Sequence, residues 1–151
     1  MRGGGHENQT RRHEEGTKTF VNKYDPISEF IEALVLKVIE AAIRVHKQLG
    51  PGLLESVYVK CLVRALRKMG LKVKTEVTLP VKYDDLTIDE GYRLDLLVED
   101  ELIVECKAVE ELHPVHKVQF LTYMKLAGKR LALLLNFNLP LMKGGIHRII
   151  R

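Results

Sequence analysis

Apolar residues recur every three or four positions in two long stretches near the start of the chain, which is the period of an α-helix buried on one face. The first stretch follows Asp25-Pro26, a pair that favours helix initiation, and ends at Gly50-Pro51-Gly52. The second runs from about Leu53 to Met69 and is closed by Gly70. The residues of this second helix that we expect to face inward are Leu54, Tyr58, Cys61, Leu62, Ala65, Leu66 and Met69.

A period of two replaces the helical period at residues 73–81, and this alternation predicts a half-buried strand. The same patterns predict further strands at 92–98, 102–107, 131–137 and 146–150, and a helix from His113-Pro114 to about Ala127. Asp84-Asp85 is expected to form a turn, and residues 99–101 a tight connection between two strands. The order is ααβββαββ, which indicates a mixed α/β layer architecture.

Length and composition indicate one globular domain. The chain has 151 residues, of which 46% are hydrophobic and 29% charged, so a collagenous or wholly disordered protein is excluded. Residues 1–24 are polar and carry few apolar anchors, and we expect them to form a flexible tail before a domain at 25–151. We expect a cytoplasmic protein with no membrane contact, because it shows no secretion signal and no long apolar run.

The cysteines and the net charge place only loose limits on function. Cys61 and Cys106 lack CxxC partners, so we interpret them as reduced, buried thiols. The net charge of +4 and the pI near 9.1 permit a nucleic-acid partner without requiring one.

Charged residues interrupt two of the predicted strands. Asp95 lies within the apolar strand 92–98, and Glu105 and Lys107 lie at the end of strand 102–107. Since alternate residues of a strand face the same side, Glu105 and Lys107 emerge together. Counting outward from about Asp100 in the short connection pairs Asp95 with Glu105 across an antiparallel hairpin. The sequence therefore predicts two carboxylates and an ammonium group in one place.

This trio fits metal-dependent phosphodiester hydrolysis. Mg²⁺ binds through one or two carboxylates and keeps several waters, and Mn²⁺ is its expected substitute. Such an ion polarises a phosphate and activates water, while a lysine orients that water or offsets charge that develops on phosphorus. The alternative is that Glu105 and Lys107 form a surface ion pair of little energetic value. That interpretation leaves Asp95 as an unpaired carboxylate in an apolar strand, which is costly.

An Asp…Glu-x-Lys pattern across a hairpin, preceded by a helix, resembles the PD-(D/E)xK nuclease superfamily. Gly52-Leu-Leu-Glu55-Ser-Val-Tyr58 matches a GxxExxY signature, and the chain resembles the GxxExxY protein family within that superfamily. The other motifs that agree are Val45-His46, Leu49-Gly50-Pro51-Gly52-Leu53, Tyr92-Arg93-x-Asp95-Leu-Leu-Val98, Val104-Glu105-x-Lys107-Ala108-Val109, Gln119-x-x-x-Tyr123 and Leu134-Leu-Asn136-Phe137. Leu94 stands where the superfamily name has proline, and the match spans about residues 27–151.

The resemblance implies a restriction-endonuclease-like core, in which a central mixed β-sheet is flanked by helices. It implies that Asp95 and Glu105 are metal ligands, that Glu55 adds an acid from the N-terminal helices, and that Lys107 is the catalytic lysine. It also implies that Gln119 adds a polar group to the site.

The helix residues also have structural interpretations. An acid at Glu55 is equally explained by the dipole of a helix first turn. Tyr58 is more typical of a core residue with its hydroxyl at the rim. Gln119 is four residues from Tyr123 and suits a structural hydrogen bond as well as a site. His113 and His116 lack a third zinc ligand at suitable spacing.

Two functions from different classes follow. The first is a Mg²⁺-dependent nuclease acting on DNA rather than RNA, with a homodimer to grip a duplex because one small domain offers little surface beyond its site. The second is a catalytically silent binding or assembly module that keeps the fold. The intact set of Asp95, Glu105 and Lys107 favours the nuclease.

Overall fold

The computed structural model describes residues 25–151, and the tail expected at residues 1–24 lies outside the described residues. The elements follow in the order α1 (Glu29–Leu49), α2 (Glu55–Lys68), β1 (Val73–Thr78), β2 (Val81–Tyr83), β3 (Leu86–Ile88), β4 (Arg93–Val98), β5 (Leu102–Lys107), α3 (Pro114–Ala127), β6 (Leu131–Asn136), a short 3-10 helix (Met142–Gly145) and β7 (Ile146–Ile150). The predicted order is therefore retained, with a small hairpin inserted after the first strand.

Five strands form a central mixed sheet in the order β1-β4-β5-β6-β7. Neighbouring strands are antiparallel except for β5 and β6, which run parallel with α3 between them in the chain. A connection through a helix is the usual way to join parallel neighbours. The expected central mixed sheet flanked by helices is confirmed.

The inserted hairpin corrects the predicted length of the first strand. Pro80 has no N–H group to donate to a sheet, so the regular pairing of β1 ends at Thr78. Beyond it, β2 pairs with β3 in a separate two-stranded sheet, with the expected turn at Asp84-Asp85 between them. The alternation that continues to Val81 thus belongs to two different sheets.

Apolar side chains cover both faces of the central sheet. On one face, residues such as Val104 and Leu133 pack with α1 and α2. On the other, Ile103 and Leu134 pack with Phe120 of α3. Every residue of β6 is buried, as its nearly continuous apolar sequence predicts for a strand covered on both sides.

The starts of α1 and α2 differ from the predicted ones. The Ser28 hydroxyl accepts a hydrogen bond from the Ile31 N–H at 3.3 Å, so Ser28 caps α1 and the helix begins at Glu29 rather than at Pro26. Leu54 has extended backbone at the position before α2 and is 74% exposed. The prediction that Leu54 faces inward is wrong, because it lies outside the helical periodicity.

None of the helices within 25–151 is both long enough and apolar enough to cross a membrane.

Candidate active site

Strand β4 changes its orientation at Asp95. Leu96 and Val98 pack under α1 and α2, whereas Leu94 packs in the cluster under α3. In a regular strand these three side chains would share one face. The regular pairing of β1 with β4 omits the position where Asp95 would face Glu76, and Glu76 has a φ of 50°. A non-glycine residue with positive φ marks local distortion, and here it coincides with Asp95.

The β4–β5 hairpin brings the carboxylates of Asp95 and Glu105 together. Its regular pairing runs as far as Leu96 with Val104, and the next position in that register faces Asp95 with Glu105. The Asp95 N–H donates to Oε1 of Glu105 at 2.8 Å, and the Cys106 N–H donates to Oδ2 of Asp95 at 3.0 Å. Side-chain oxygens thus accept hydrogen bonds from the backbone of the facing strand, which orients both carboxylates.

Burial makes this carboxylate pair electrostatically costly. Glu105 is only 7% exposed. Loss of solvent, followed by repulsion from the Asp95 carboxylate, raises the pKa of Glu105 to about 8, although the Asp95 N–H and Lys107 oppose the rise. A cation between the two carboxylates would relieve the repulsion. The geometry therefore suits a positively charged ligand.

Glu55 approaches the same place from the first residue of α2. Its side chain is partly buried, and loss of solvent is the largest cause of its raised pKa. Lys107 lowers this pKa and Asp95 raises it, while the Ala108 backbone N–H also lowers it. Glu55 is thus within electrostatic reach of both Asp95 and Lys107. The structure gathers Glu55, Asp95, Glu105 and Lys107 in one site.

Gln119 is placed differently. It lies on α3 with its side chain exposed, and within residues 25–151 no hydrogen bond joins it to the carboxylates. His116, one turn earlier on α3, lowers the pKa of Glu55 through its charge and so lies within electrostatic reach of that carboxylate. Its Nδ1 accepts the His113 N–H at 3.2 Å. Sequence reasoning weighed His116 only as a zinc ligand and missed this neighbour.

Tyr58 holds the loop that leads into Glu55. Its hydroxyl donates to the Gly50 carbonyl at 2.5 Å and accepts the Leu53 N–H at 3.1 Å. The buried ring stacks on Phe137, with centroids 4.6 Å apart. The interpretation of Tyr58 as a core residue is confirmed, but its hydroxyl is not at the rim, because the whole side chain is buried. The spacing of three residues between Glu55 and Tyr58 therefore has a physical reason, because the Tyr58 hydroxyl holds the loop that immediately precedes Glu55.

Tyr58→Phe is expected to lower the free energy of unfolding by about 1–3 kcal/mol, because the Gly50 carbonyl and the Leu53 N–H lose their partner. Urea denaturation measures this change. Tyr83→Phe is the control, since Tyr83 is 70% exposed and should have little effect. Equal free energies of unfolding for Tyr58→Phe and Tyr83→Phe would contradict the role of the Tyr58 hydroxyl in holding the loop.

Asn136 secures the segment that follows Lys107. The Asn136 side chain is buried, and its Oδ1 accepts the Val109 N–H at 3.1 Å while its Nδ2 donates to the Val109 carbonyl at 2.8 Å. The Phe137 N–H adds a bond to the Lys107 carbonyl at 2.8 Å. The polar residue at the end of the apolar strand β6 was the sequence signal for this clamp, which orients the backbone around Lys107.

An open groove of about 690 Å³ runs between α2 and β1 and reaches Asp95. Its α2 wall carries Glu55 and the cations Lys60, Arg64 and Arg67. Sequence reasoning did not single out these cations, although their spacing of four and three residues places them along one side of a helix.

Comparison with known proteins identifies a family. No curated protein and no solved structure matches the chain. Residues 32–149 match the PD-(D/E)XK nuclease superfamily, and this span includes Glu55 and the whole β4–β5 hairpin. With more than half of its length matched, and with the expected mixed sheet, this chain belongs to the PD-(D/E)XK nuclease superfamily.

Proposed function

We propose that this protein is a Mg²⁺-dependent nuclease that hydrolyses phosphodiester bonds in DNA more readily than in RNA. The observation that carries the proposal is the pair of Asp95 and Glu105 carboxylates, of which Glu105 is buried and Asp95 partly buried. Each accepts a backbone hydrogen bond from the facing strand, and Lys107 lies on the strand of Glu105. We assign the chain to the GxxExxY group on the Gly52, Glu55 and Tyr58 signature. A homodimer is proposed for the grip on duplex DNA, because a single small domain offers little surface beyond this site.

The donor set of the site fits Mg²⁺. Within residues 25–151 no group of three or more His, Cys, Asp and Glu side chains is placed to hold a metal ion. Mg²⁺ has no need of such a group, because it binds through one or two carboxylates with water and substrate phosphate as its other ligands. Asp95 and Glu105 would hold the ion directly, and Glu55 would complete the site through a bound water, because the three carboxylates are not grouped as direct ligands within residues 25–151. When bound, the ion supplies Lewis acidity for the phosphate and for an attacking water.

The protein groups around the carboxylates supply orientation and charge. Lys107 lies two residues after Glu105 on β5. Its ammonium group would direct the attacking water or offset the charge that develops on phosphorus. Gln119 would contribute a polar contact from α3 once a substrate spans the distance between the helix and the hairpin. Hydrogen bonds from Asp95 and Cys106 backbone groups keep the carboxylates fixed during the reaction.

Lys107→Met is expected to reduce the cleavage rate about 10²–10³-fold, which is the usual cost of removing one group that stabilises the transition state. Binding of Mn²⁺, measured by calorimetric titration, should persist because both carboxylates remain. The matched control is Lys125→Met, an exposed lysine in the last turn of α3. Loss of metal binding together with cleavage in Lys107→Met would show that the lysine supports the fold of the site instead.

The test of the function is cleavage by wild-type protein of single-stranded DNA, duplex DNA and RNA, each with Mg²⁺, Mn²⁺ or a chelator. The proposal expects cleavage that requires the metal and is fastest on DNA. A wild-type protein that binds Mn²⁺ and cleaves none of these substrates would favour the catalytically silent module.

A further inference from the structure

We propose that the groove between α2 and β1 carries one phosphodiester backbone of the substrate to the carboxylates, with Lys60 and Arg64 as its phosphate contacts. The proposal rests on the nuclease function and adds the direction in which the substrate strand leaves the site. The groove reaches Asp95 and is lined on its helical wall by Glu55, Lys60 and Arg64.

The charges of the groove are ordered along its length. Glu55 and Asp95 line it where it meets the hairpin, and Glu76 of β1 lies opposite Asp95. Along α2, at 1.5 Å per residue, Lys60 lies about 7.5 Å and Arg64 about 13.5 Å from Glu55. A strand whose scissile phosphate lies at the carboxylates would therefore place its following phosphates beside these two cations.

Lys60 and Arg64 are not neutralised by the protein. Other exposed cations pair with carboxylates, as Lys74 does with Asp100 at 2.6 Å and Arg44 with Glu40 at 3.1 Å. Lys60 and Arg64 are exposed, and within residues 25–151 they have neither an ion pair nor a side-chain hydrogen bond.

Arg67, at the far end of the row, has a different role. Its Nη2 donates to the Val73 carbonyl at 2.9 Å and so links α2 to β1. This bond holds the two walls of the groove together. The two cations between Arg67 and the carboxylates are therefore the ones that are open to a phosphate chain.

The groove is built for the backbone rather than for the bases. Val59 and Val63 supply its apolar surface, and the described residues that line it include no aromatic side chain. Proteins that bind bases of a single strand without sequence preference stack them on aromatic side chains. Contacts to phosphates alone give binding that is independent of sequence and depends strongly on salt.

The test compares Lys60→Gln/Arg64→Gln with Lys37→Gln/Lys125→Gln in the full-length protein. The control double variant removes the same charge from exposed helical lysines outside the groove. Fluorescence anisotropy with a labelled DNA oligonucleotide, single-stranded or duplex, gives the affinity as a function of salt in the presence of a chelator that prevents cleavage.

Loss of two phosphate contacts should make the slope of log affinity against log salt shallower by about 1.4 for a single strand or about 1.8 for a duplex. The oligonucleotide, single-stranded or duplex, whose salt slope changes by the expected amount is the form of DNA whose backbone occupies the groove. The KM for cleavage should rise while kcat stays close to the wild-type value, since the carboxylates are untouched. The control variant Lys37→Gln/Lys125→Gln should keep a slope of log affinity against log salt that is close to the wild-type slope.

The outcomes separate this proposal from the nuclease function. If wild type cleaves DNA and both double variants show the same salt slope, the groove proposal is overturned and the nuclease stands. If the groove variant alone loses slope and wild type cleaves nothing, the groove is a nucleic-acid site and the nuclease fails. Wild type that binds no oligonucleotide overturns both. Melting temperatures of the double variants that equal the wild-type value exclude a folding defect as the cause. The single variant Lys60→Gln provides a second, milder test.

Discussion

Asp95→Asn is expected to reduce metal-dependent DNA cleavage by about 10³-fold or more, because it removes one of two carboxylate ligands and the several kcal/mol of charge stabilisation that the ion provides. The substitution keeps the shape of the side chain and an oxygen that can accept the Cys106 N–H, so the hairpin should remain folded. Cleavage of labelled DNA under single-turnover conditions with Mg²⁺ measures the effect.

Asp89→Asn is the matched control for this experiment. Asp89 is exposed between β3 and β4, and its substitution removes the same charge from a place outside the site. Wild type and Asp89→Asn should cleave at similar rates. Equal cleavage by wild type and Asp95→Asn would contradict the nuclease assignment, since it would indicate a contaminating enzyme.

Glu105→Gln is expected to stabilise the metal-free protein at neutral to alkaline pH while it abolishes cleavage. Burial and the Asp95 carboxylate raise the pKa of Glu105 from 4.5 to about 8 in the folded protein. Between these values the folded protein keeps a proton that the unfolded chain has released. Stability that is present below about pH 4.5 is therefore lost progressively as the pH rises to about 8, by an amount on the order of a few kcal/mol.

Urea denaturation in the presence of a chelator, at about pH 5 and about pH 8, checks this expectation. Wild type should be less stable at the higher pH, and Glu105→Gln should lose most of that dependence because a neutral amide replaces the titrating group. Glu110→Gln, at an exposed position just after β5, should behave like wild type. A wild-type stability that rises over this range, or a Glu105→Gln variant with the wild-type dependence, would contradict the proposed electrostatic strain.

The positions of the main elements were predictable because local patterns determine them. The charged residues that interrupt the apolar strands β4 and β5, together with the short turn at Glu99–Asp100, indicated the hairpin register by counting, and the structure has Asp95 and Glu105 facing each other. The apolar run of β6 predicted a strand covered on both faces. These features depend on residues close together in the chain.

Features that depend on distant residues escaped the sequence analysis. The change of face at Asp95 depends on the pairing of β4 with β1, in which Glu76 adopts a positive φ. The cations of α2 line a groove only because α2 packs beside β1, and the sequence does not show this packing. His116 was weighed as a zinc ligand because only the packing of α3 brings it within electrostatic reach of Glu55.

Gln119 illustrates the limit of transferring a motif residue by resemblance. Its spacing from Tyr123 suited a structural hydrogen bond as well as a site, and the structure exposes its side chain. The motif specifies the helix position, whereas the distance to the carboxylates depends on how α3 packs on the sheet through Phe120 and Met124. Its role in catalysis stays a prediction.

The most direct measurement of the central claim is a crystal structure of the protein soaked in Mn²⁺, with the ion located by its anomalous scattering. We predict one peak between the carboxylates of Asp95 and Glu105, at coordination distance from an oxygen of each and with Glu55 at its edge. The same soak of Asp95→Asn should lose that peak. A wild-type crystal with no peak at these carboxylates, or with Mn²⁺ bound only elsewhere, would contradict the assignment of this hairpin as a metal-dependent nuclease centre.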